Sequence, residues 1–177
     1  ILLPEKMDNP NAFKISVILP TYNEAGNIVE LVEAIHANLK DAHEIIVVDD
    51  ASPDGTSDHV ASLIATQRVP HLRLITRHTD RGLTNSLREG IASARGDIVV
   101  WMDCDFSMPP EVIPRLIAEI DRGYDVAVGS RFVKGGSFKK DLEGTQDSLI
   151  AVLLSRFMNV FIRMMLGFSF KDYTSGF

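Results

Sequence analysis

Short apolar runs that are rich in Val and Ile alternate with helix-length segments along most of this chain. We predict strands at 15–19, 44–48, 72–76, 98–102 and 125–128, and helices at 27–39, 56–66 and 83–94, with another beginning near Pro109. Runs of about five continuous apolar residues are typical of parallel strands that are buried on both faces. The alternation therefore predicts an α/β fold, with a parallel or mostly parallel sheet flanked by helices on both faces.

The composition excludes several classes of protein. The chain has 177 residues, of which 45% are hydrophobic, and this is ordinary globular composition rather than that of a disordered or fibrous chain. Its formal charge of −6 lacks the basic excess of a protein whose main partner is nucleic acid. The single cysteine, Cys104, excludes an internal disulfide and favours a reducing, cytoplasmic compartment.

The two ends of the chain suggest how it is organised. Residues 1–13 are mixed in character, and we predict that they form a leader ahead of one domain at 14–177. No basic segment leads into an apolar run at the start, so no signal peptide is recognisable. The last six residues, from Asp172 to Phe177, stop within what reads as ordered sequence, and we expect the domain to be truncated there.

Acidic residues follow three of the predicted strands. Glu24 comes shortly after the first strand, Asp49, Asp50 and Asp54 follow the second, and Asp103 and Asp105 follow the fourth. Ligands of parallel α/β sheets bind outside the carboxyl ends of the strands, where these residues would meet. Several carboxylates in one cleft repel each other unless a cation lies among them. We therefore expect a cation-binding rim at this edge of the sheet.

The spacing Asp103-x-Asp105 suits a hard divalent cation. Carboxylate oxygens match Mg²⁺ or Mn²⁺, and Mg²⁺ needs few protein ligands because it also accepts waters and substrate phosphate oxygens. The alternative is that both aspartates are turn residues that cap the helix beginning near Pro109. The spacing alone does not decide between the two.

Glycine-rich phosphate loops are missing from the sequence. The turn after the first predicted strand, at 20–24, contains no glycine, and neither GxGxxG nor GxxxxGK[ST] occurs anywhere. A Rossmann dinucleotide site and a P-loop both need such glycines, because the backbone must approach the phosphates closely. The sequence therefore favours a diphosphate held by a metal ion over hydride transfer or P-loop chemistry.

Five segments, in order along the chain, resemble the motifs of family 2 glycosyltransferases of the GT-A fold. They are 17–24 (VILPTYNE), 47–56 (VVDDASPDGT), 102–111 (MDCDFSMPPE), 129–132 (GSRF) and 172–177 (DYTSGF). Within that family the chain is most similar to the polyprenyl-phosphate group, which includes the dolichol-phosphate mannose synthases. The resemblance covers about residues 15–177 and implies a metal-dependent, inverting hexosyltransferase with a nucleotide-sugar donor.

The resemblance also implies roles for single residues on the donor side. The nucleotide-sugar-binding residues would be Pro20, Tyr22, Glu24, Asp50 and Asp103. Asp103 and Asp105 would hold Mg²⁺ or Mn²⁺ on the donor diphosphate, which makes Asp105 a predicted catalytic residue.

Two further catalytic residues are implied near the acceptor. Arg131 would meet phosphate charge on the donor or on the acceptor lipid, the alternative being a surface ion pair with Asp125. Asp172 would close the site on the acceptor side, and it is the candidate base if the acceptor is an alcohol. The alternative for Asp172 is a helix-cap or turn carboxylate.

The segment 148–168 is rich in Leu, Ile, Val, Phe and Met, and we predict that it forms an amphipathic helix. Its longest uninterrupted apolar run has six residues, which is too short for a spanning helix of about 20 apolar residues. A helix in the membrane interface fits this pattern, and a core or dimer helix is the alternative, so a homo-oligomer stays open. Given the family, Arg156 and Arg163 would bind a lipid phosphate, and 134–147 would be a mobile acceptor loop.

The sequence as a whole predicts transfer of a sugar from GDP-mannose or a UDP-sugar to a polyprenyl phosphate, dolichyl or undecaprenyl. The reaction would take place at the cytosolic face of a membrane. Two alternatives stay open: a family 2 transferase with a saccharide or other alcohol acceptor, and a non-catalytic fragment that only binds sugar nucleotides.

Overall fold

The computed structural model describes residues 13–130, together with 157, 160–162 and 164. The chain divides into two compact units, residues 1–117 and 118–177. The elements are β1 (Ile15–Thr21), α1 (Ile28–Asn38), β2 (His43–Asp49), α2 (Thr56–Ala65), β3 (Leu72–Thr76), α3 (Leu83–Ser93), β4 (Ile98–Trp101), a 3-10 helix (Pro110–Val112) and α4 (Ile113–Asp121). The first four predicted strands and the four predicted helices are confirmed; β3 agrees at both ends, and the other ends differ by at most four residues.

The four strands form one parallel sheet in the order β3-β2-β1-β4. From β1 the chain proceeds outward to β2 and β3, and it then returns to place β4 on the other side of β1. The point between β1 and β4, where the strand order reverses, is where open α/β sheets bind ligands. The prediction of an α/β fold with a parallel sheet is confirmed.

The sheet is buried because its two central strands are apolar on both faces. Ile18, Ile46 and Val48 form a cluster on one face, and α3 packs closely against it. Gly90 permits this approach, since a Cβ atom at that position would collide with the side chain of Ile18 and lie 3.2 Å from that of Val48. This close packing holds α3 against the sheet, and the first turn of α3 lines the cavity at the carboxyl edge described below.

The prediction of a fifth strand at 125–128 is wrong. Residues 126–130 adopt no regular structure, and they pair with no strand of the described sheet. Val126 and Val128 are 67% and 37% exposed. The preference of valine for strands reflects packing on a half-buried pleated surface, and exposed side chains lack that packing.

Five residues within 148–168 are described. Phe157, Val160, Phe161, Ile162 and Met164 are helical, and all but the half-buried Ile162 are exposed. Within the described part of the chain, no helix is long and apolar enough to cross a bilayer.

Candidate functional site

A cavity of about 380 Å³ opens at the carboxyl edge of the sheet. Its lining residues belong to the end of β1, to the loops after β1, β2 and β3, or to the start of α3: Pro20, Thr21, Tyr22, Asp50, Arg81, Gly82, Leu83 and Ser86. Tyr22 and Leu83 are each about half exposed, which leaves an aromatic and an aliphatic surface for a ligand to pack on. The volume and the mix of apolar and polar walls suit a small-molecule ligand the size of a nucleoside.

The loop after β1 is fixed by side chains of the loop after β2. Three consecutive backbone N–H groups donate across the gap: Asn23 to Ser52 Oγ at 2.9 Å, Glu24 to Thr56 Oγ1 at 3.0 Å and Ala25 to Asp54 Oδ2 at 3.0 Å. Because these amides are already occupied, the loop does not cradle phosphate through its backbone as a glycine-rich loop does. It presents the side chains of Tyr22 and Glu24 instead.

Asp49 is a structural carboxylate. It is fully buried, and it accepts hydrogen bonds from Ser52, Ser57 and Thr21. Burial by itself would raise the pKa of Asp49, but these hydrogen bonds outweigh it and hold the pKa below its ordinary value. Asp54 is likewise occupied, since it accepts from Thr56 and Ala25. Neither aspartate joins a cation-binding rim.

Asp50 lies on the cavity wall, but its carboxylate is engaged by the protein. Oδ1 accepts from Arg77 Nη1 at 2.6 Å and from Ser86 Oγ at 3.0 Å. Oδ2 accepts from the backbone N–H of Gly82 at 2.6 Å. A carboxylate has about four lone-pair sites, so Oδ2 keeps capacity for one more donor. The predicted nucleotide contact of Asp50 stays a prediction.

Asp103 and Asp105 follow β4 at the point where the strand order reverses. Burial first, and then the charges of Asp105 and Glu24, raise the pKa of Asp103 above its ordinary value. No donor in the described part of the chain hydrogen-bonds the Asp103 carboxylate, whereas Asp105 accepts from the N–H of Ser107 at 2.9 Å. The acidic rim predicted from the sequence therefore narrows to these two aspartates with Glu24 nearby.

The arrangement of Asp103, Asp105 and Glu24 suits the binding of a divalent cation. A cation would relieve the repulsion that raises the pKa of Asp103 and would fill its missing hydrogen bonds. Among the described residues, no three His, Cys, Asp or Glu side chains are gathered closely enough to enclose a metal ion. Two carboxylates are sufficient for Mg²⁺ or Mn²⁺ when substrate phosphates supply the remaining ligands.

Cys104 connects the two parts of the site. Its buried thiol lies 3.7 Å from the carbonyl oxygen of Pro20, so the loop after β4 adjoins the end of β1. Burial raises the pKa of this thiol far above its ordinary value, and the charges of Glu24, Asp103 and Asp105 add to the effect. Cys104 is therefore a packing residue and not a nucleophile.

The structure brings Pro20, Tyr22 and Asp50 to one cavity, and it places Glu24 near Asp103. The remaining predicted residues and segments, Arg131, Arg156, Arg163, Asp172 and 134–147, lie outside the described residues. The segment 81–83, which follows the third predicted strand, was a weaker sequence-based candidate for holding the donor, and it lines this cavity. Sequence reasoning missed Thr21 and Ser86 as cavity residues. The available signal for Ser86 was its place one turn into the helix that follows Gly82.

A parallel sheet with a cavity and an acidic pair at its carboxyl edge is typical of nucleotide-binding α/β domains. Residues 16–177 match the sequence model of the protein family described as Glycosyl transferase family 2. The chain therefore belongs to glycosyltransferase family 2, and the resemblance drawn from its motifs is confirmed.

Curated relatives carry names from polyprenyl-phosphate chemistry. Dolichol-phosphate mannosyltransferase of Pyrococcus furiosus is 46% identical over 70% of this chain and 34% of its own length. Polyprenol monophosphomannose synthase of Mycolicibacterium smegmatis is 35% identical over 91% of this chain and 59% of its own length. Undecaprenyl-phosphate 4-deoxy-4-formamido-L-arabinose transferase of Yersinia enterocolitica is 31% identical over 90% of this chain and 46% of its own length. The chain thus spans a third to three-fifths of the length of these relatives.

Solved structures of similar fold include glucosyl-3-phosphoglycerate synthase from Mycobacterium tuberculosis. Its complex with Mn²⁺, UDP and phosphoglyceric acid is 27% identical, with a TM-score of 0.50 over 61% of this chain and 39% of that one. Its complex with phosphoglyceric acid is 28% identical, with a TM-score of 0.51 over 63% of this chain and 40% of that one. The predicted GT-A fold is confirmed.

Proposed function

We propose that this chain is the catalytic domain of a metal-dependent, inverting glycosyltransferase that moves a sugar from a nucleotide donor to a polyprenyl phosphate. The observation that carries the proposal is the acidic pair Asp103 and Asp105, which lies at the strand-order reversal beside the cavity. The curated relatives support the acceptor class, because all three are named for polyprenyl phosphates.

The nucleoside would bind in the cavity. Tyr22 and Leu83 offer faces on which a base can pack, and base–aromatic stacking is worth about 1–3 kcal/mol. Arg81 is exposed on the same wall, and it forms no ion pair with any other described residue. Its guanidinium can therefore meet ligand acceptors, including phosphate oxygens, in a bidentate manner.

The donor diphosphate would extend from the cavity toward the loop after β4. Asp103 and Asp105 would hold Mg²⁺ or Mn²⁺ there, and such an ion offsets the charge that develops on a leaving diphosphate. Glu24 adds a third negative charge close to Asp103. This placement leaves the anomeric carbon of the sugar at the outer end of the site, where an acceptor can approach.

The acceptor chemistry explains why the site needs no strong base. A polyprenyl phosphate arrives already anionic, so its oxygen can attack the anomeric carbon as the nucleoside diphosphate leaves, with inversion. An alcohol acceptor would need a carboxylate within about 2.6–3.2 Å to take its proton. Asp172 is the sequence-based candidate for that case.

The lipid side of the proposal rests on the sequence. Arg131, Arg156 and Arg163 would bind the lipid phosphate, with the apolar residues of 148–168 along the membrane surface at the cytosolic face. Liposome co-sedimentation tests this, and exchanging Arg156 and Arg163 for Glu is expected to abolish binding to anionic vesicles. Retained binding would contradict the membrane assignment.

Mass spectrometry of lipid products tests the reaction itself. The full-length protein is offered GDP- and UDP-sugars with dolichyl and undecaprenyl phosphates and Mn²⁺. The proposal predicts a glycosyl phospholipid from at least one pair. Product from a saccharide acceptor alone would favour the alcohol-acceptor alternative, and binding without any product would favour a non-catalytic fragment.

A further inference from the structure

The side chain of Arg77 has no hydrogen-bond donor left for a ligand. The residue follows β3 directly and is only 7% exposed. Its Nε donates to Glu89 at 2.9 Å, Nη1 to Asp50 at 2.6 Å and Ser86 at 2.8 Å, and Nη2 to the carbonyl oxygens of Asp80 at 2.6 Å and Thr79 at 3.4 Å. A guanidinium has five N–H donors, so all of them are used.

These bonds fix a short irregular segment, residues 79–82, at both of its ends. Arg77 holds the carbonyl oxygens of Thr79 and Asp80, while Asp50 accepts the N–H of Gly82. Asp80 has a φ of +50°, a left-handed conformation that aspartate tolerates better than most other non-glycine residues. The turn is held in place by the hydrogen bonds of Arg77 to its carbonyl oxygens and of Asp50 to the N–H of Gly82.

The fixed segment is one wall of the cavity. Arg81 and Gly82 line it directly, and Leu83 and Ser86 continue the wall into α3. Arg81 lies between two residues whose backbone polar groups are both held by the ion pair. Its position over the cavity thus depends on Arg77, even though Arg77 is not itself a lining residue.

We propose that Arg77 is a positioning residue of the nucleotide site, which sets nucleoside affinity by holding Asp50 and residues 79–82 and makes no contact with the ligand. This inference rests on the proposed function, since it takes the cavity to be the nucleoside site. It also separates two neighbouring arginines by role: Arg77 builds the wall, and Arg81 faces the ligand.

Substitution by lysine tests the proposal with the positive charge retained. The ammonium of Arg77→Lys has three donors at one point and does not bridge Asp50, Glu89 and two carbonyl groups. We expect the affinity for GDP or UDP with Mn²⁺ to fall about tenfold or more, which is 1.4 kcal/mol. Binding of Mn²⁺ alone, measured by paramagnetic relaxation, is expected to stay within about twofold, because Asp103 and Asp105 are unaffected.

Nucleosides without phosphates distinguish positioning from direct phosphate contact. A positioning role predicts that guanosine or uridine also loses affinity, because the cavity wall itself is displaced. A loss confined to the diphosphate that disappears in the Arg81→Ala background acts through Arg81 and supports positioning. A loss confined to the diphosphate that remains in that background would show that Arg77 binds phosphate, and it would overturn the proposal. Guanidinium ion at millimolar concentration is expected to restore binding to Arg77→Ala, because it can occupy the vacated position.

A second variant covers a failure of Arg77→Lys to fold. Glu89→Ala removes the partner of Arg77 Nε without changing a cavity-lining residue, and it is expected to weaken nucleoside binding about threefold or more. Arg88→Lys is the matched control, since Arg88 is exposed on α3 and does not line this cavity. If wild type binds no nucleotide, the proposed function fails together with the inference. If wild type binds and the Arg77 and Glu89 variants bind equally well, only the inference fails.

Discussion

The backbone N–H of Glu24 donates to the side-chain oxygen of Thr56 at 3.0 Å, although Glu24 lies in the loop after β1 and Thr56 is the first residue of α2. This bond and its two neighbours fix the loop after β1 on the loop after β2. Glu24 is then held where its charge reaches Asp103, and Tyr22 is held on the cavity wall. The same three hydrogen bonds therefore place Glu24 beside the acidic pair and Tyr22 on the cavity wall.

Neutralising Asp103 is expected to leave the metal-free protein as stable as wild type or more so. The raised pKa of Asp103 means that the folded protein favours the protonated form of this carboxyl group. The stability that the protonated form contributes is lost as pH rises, so at neutral pH the ionised carboxylate destabilises the metal-free fold. Asp103→Asn should thus show an equal or higher Tm by calorimetry without metal, but no rise in Tm with Mn²⁺. The exposed Asp58→Asn serves as control. A lower Tm without metal would contradict this account of the electrostatics.

Removing the Arg81 side chain is expected to weaken nucleotide binding without affecting stability. The guanidinium is exposed on the cavity wall, and loss of a charge-assisted hydrogen bond typically costs about 1.5–3 kcal/mol. Titration calorimetry with GDP and UDP should show a decrease of about tenfold or more for Arg81→Ala. Arg88→Ala is the matched control, and equal affinities for the two variants would rule out a ligand contact by Arg81.

Alanine at Gly90 is expected to destabilise the protein despite its better helix propensity. Its Cβ would collide with Ile18 in the sheet, and overpacking of this kind costs about 1–3 kcal/mol. The propensity gain of at most about 1 kcal/mol does not offset it. Urea unfolding measures the difference. Gly26→Ala, where a new Cβ meets nothing within 4 Å, is expected to be nearly neutral. Equal stability of the two variants would disprove the close packing.

Acid is expected to destabilise the fold through Asp49 and Glu44. Glu44 is fully buried on β2 and accepts hydrogen bonds from Ser16, Arg73 and the N–H of Arg95. Burial by itself would raise the pKa of both carboxyl groups, but the hydrogen bonds outweigh it and hold both pKa values below the ordinary ones. Their stabilising contribution is therefore complete above the unfolded-state values of about 3.9 and 4.3 and is lost as pH falls through the lower folded-state values. The free energy of unfolding, measured in urea from pH 7 to pH 3, should decrease less steeply for Asp49→Asn than for wild type. Identical slopes would contradict this assignment.

The sheet and the location of the site could be predicted from the sequence, because both depend on local pattern. Apolar runs mark the strands, and residues that follow parallel strands must share one edge. The pairing of Asp50 with Arg77, 27 residues apart, could not be read in the same way, since it depends on β2 and β3 being neighbours. The segment 125–128 has the same apolar pattern as the true strands, and pattern alone does not tell whether a strand has a neighbour to pair with.

The division of the acidic residues also needed the structure. Asp49, Asp50 and Asp54 have the residue type and the location of metal ligands, but hydroxyl groups, backbone amides and Arg77 occupy them. Sequence shows which carboxylates share an edge. It does not show which of them already have hydrogen-bond donors, since several donors, such as Thr21, Ala25 and Arg77, come from distant parts of the chain.

Calorimetric titration of GDP and UDP, with and without Mn²⁺, tests the central claim most directly. The account predicts that wild type binds at least one of them, and that Mn²⁺ strengthens binding by about tenfold or more, equivalent to 1.4 kcal/mol. In the double variant Asp103→Ala and Asp105→Ala, this metal-dependent gain should disappear, while the weaker metal-free binding through the cavity persists. Metal-dependent binding that survives in the double variant would contradict the assignment of the acidic pair.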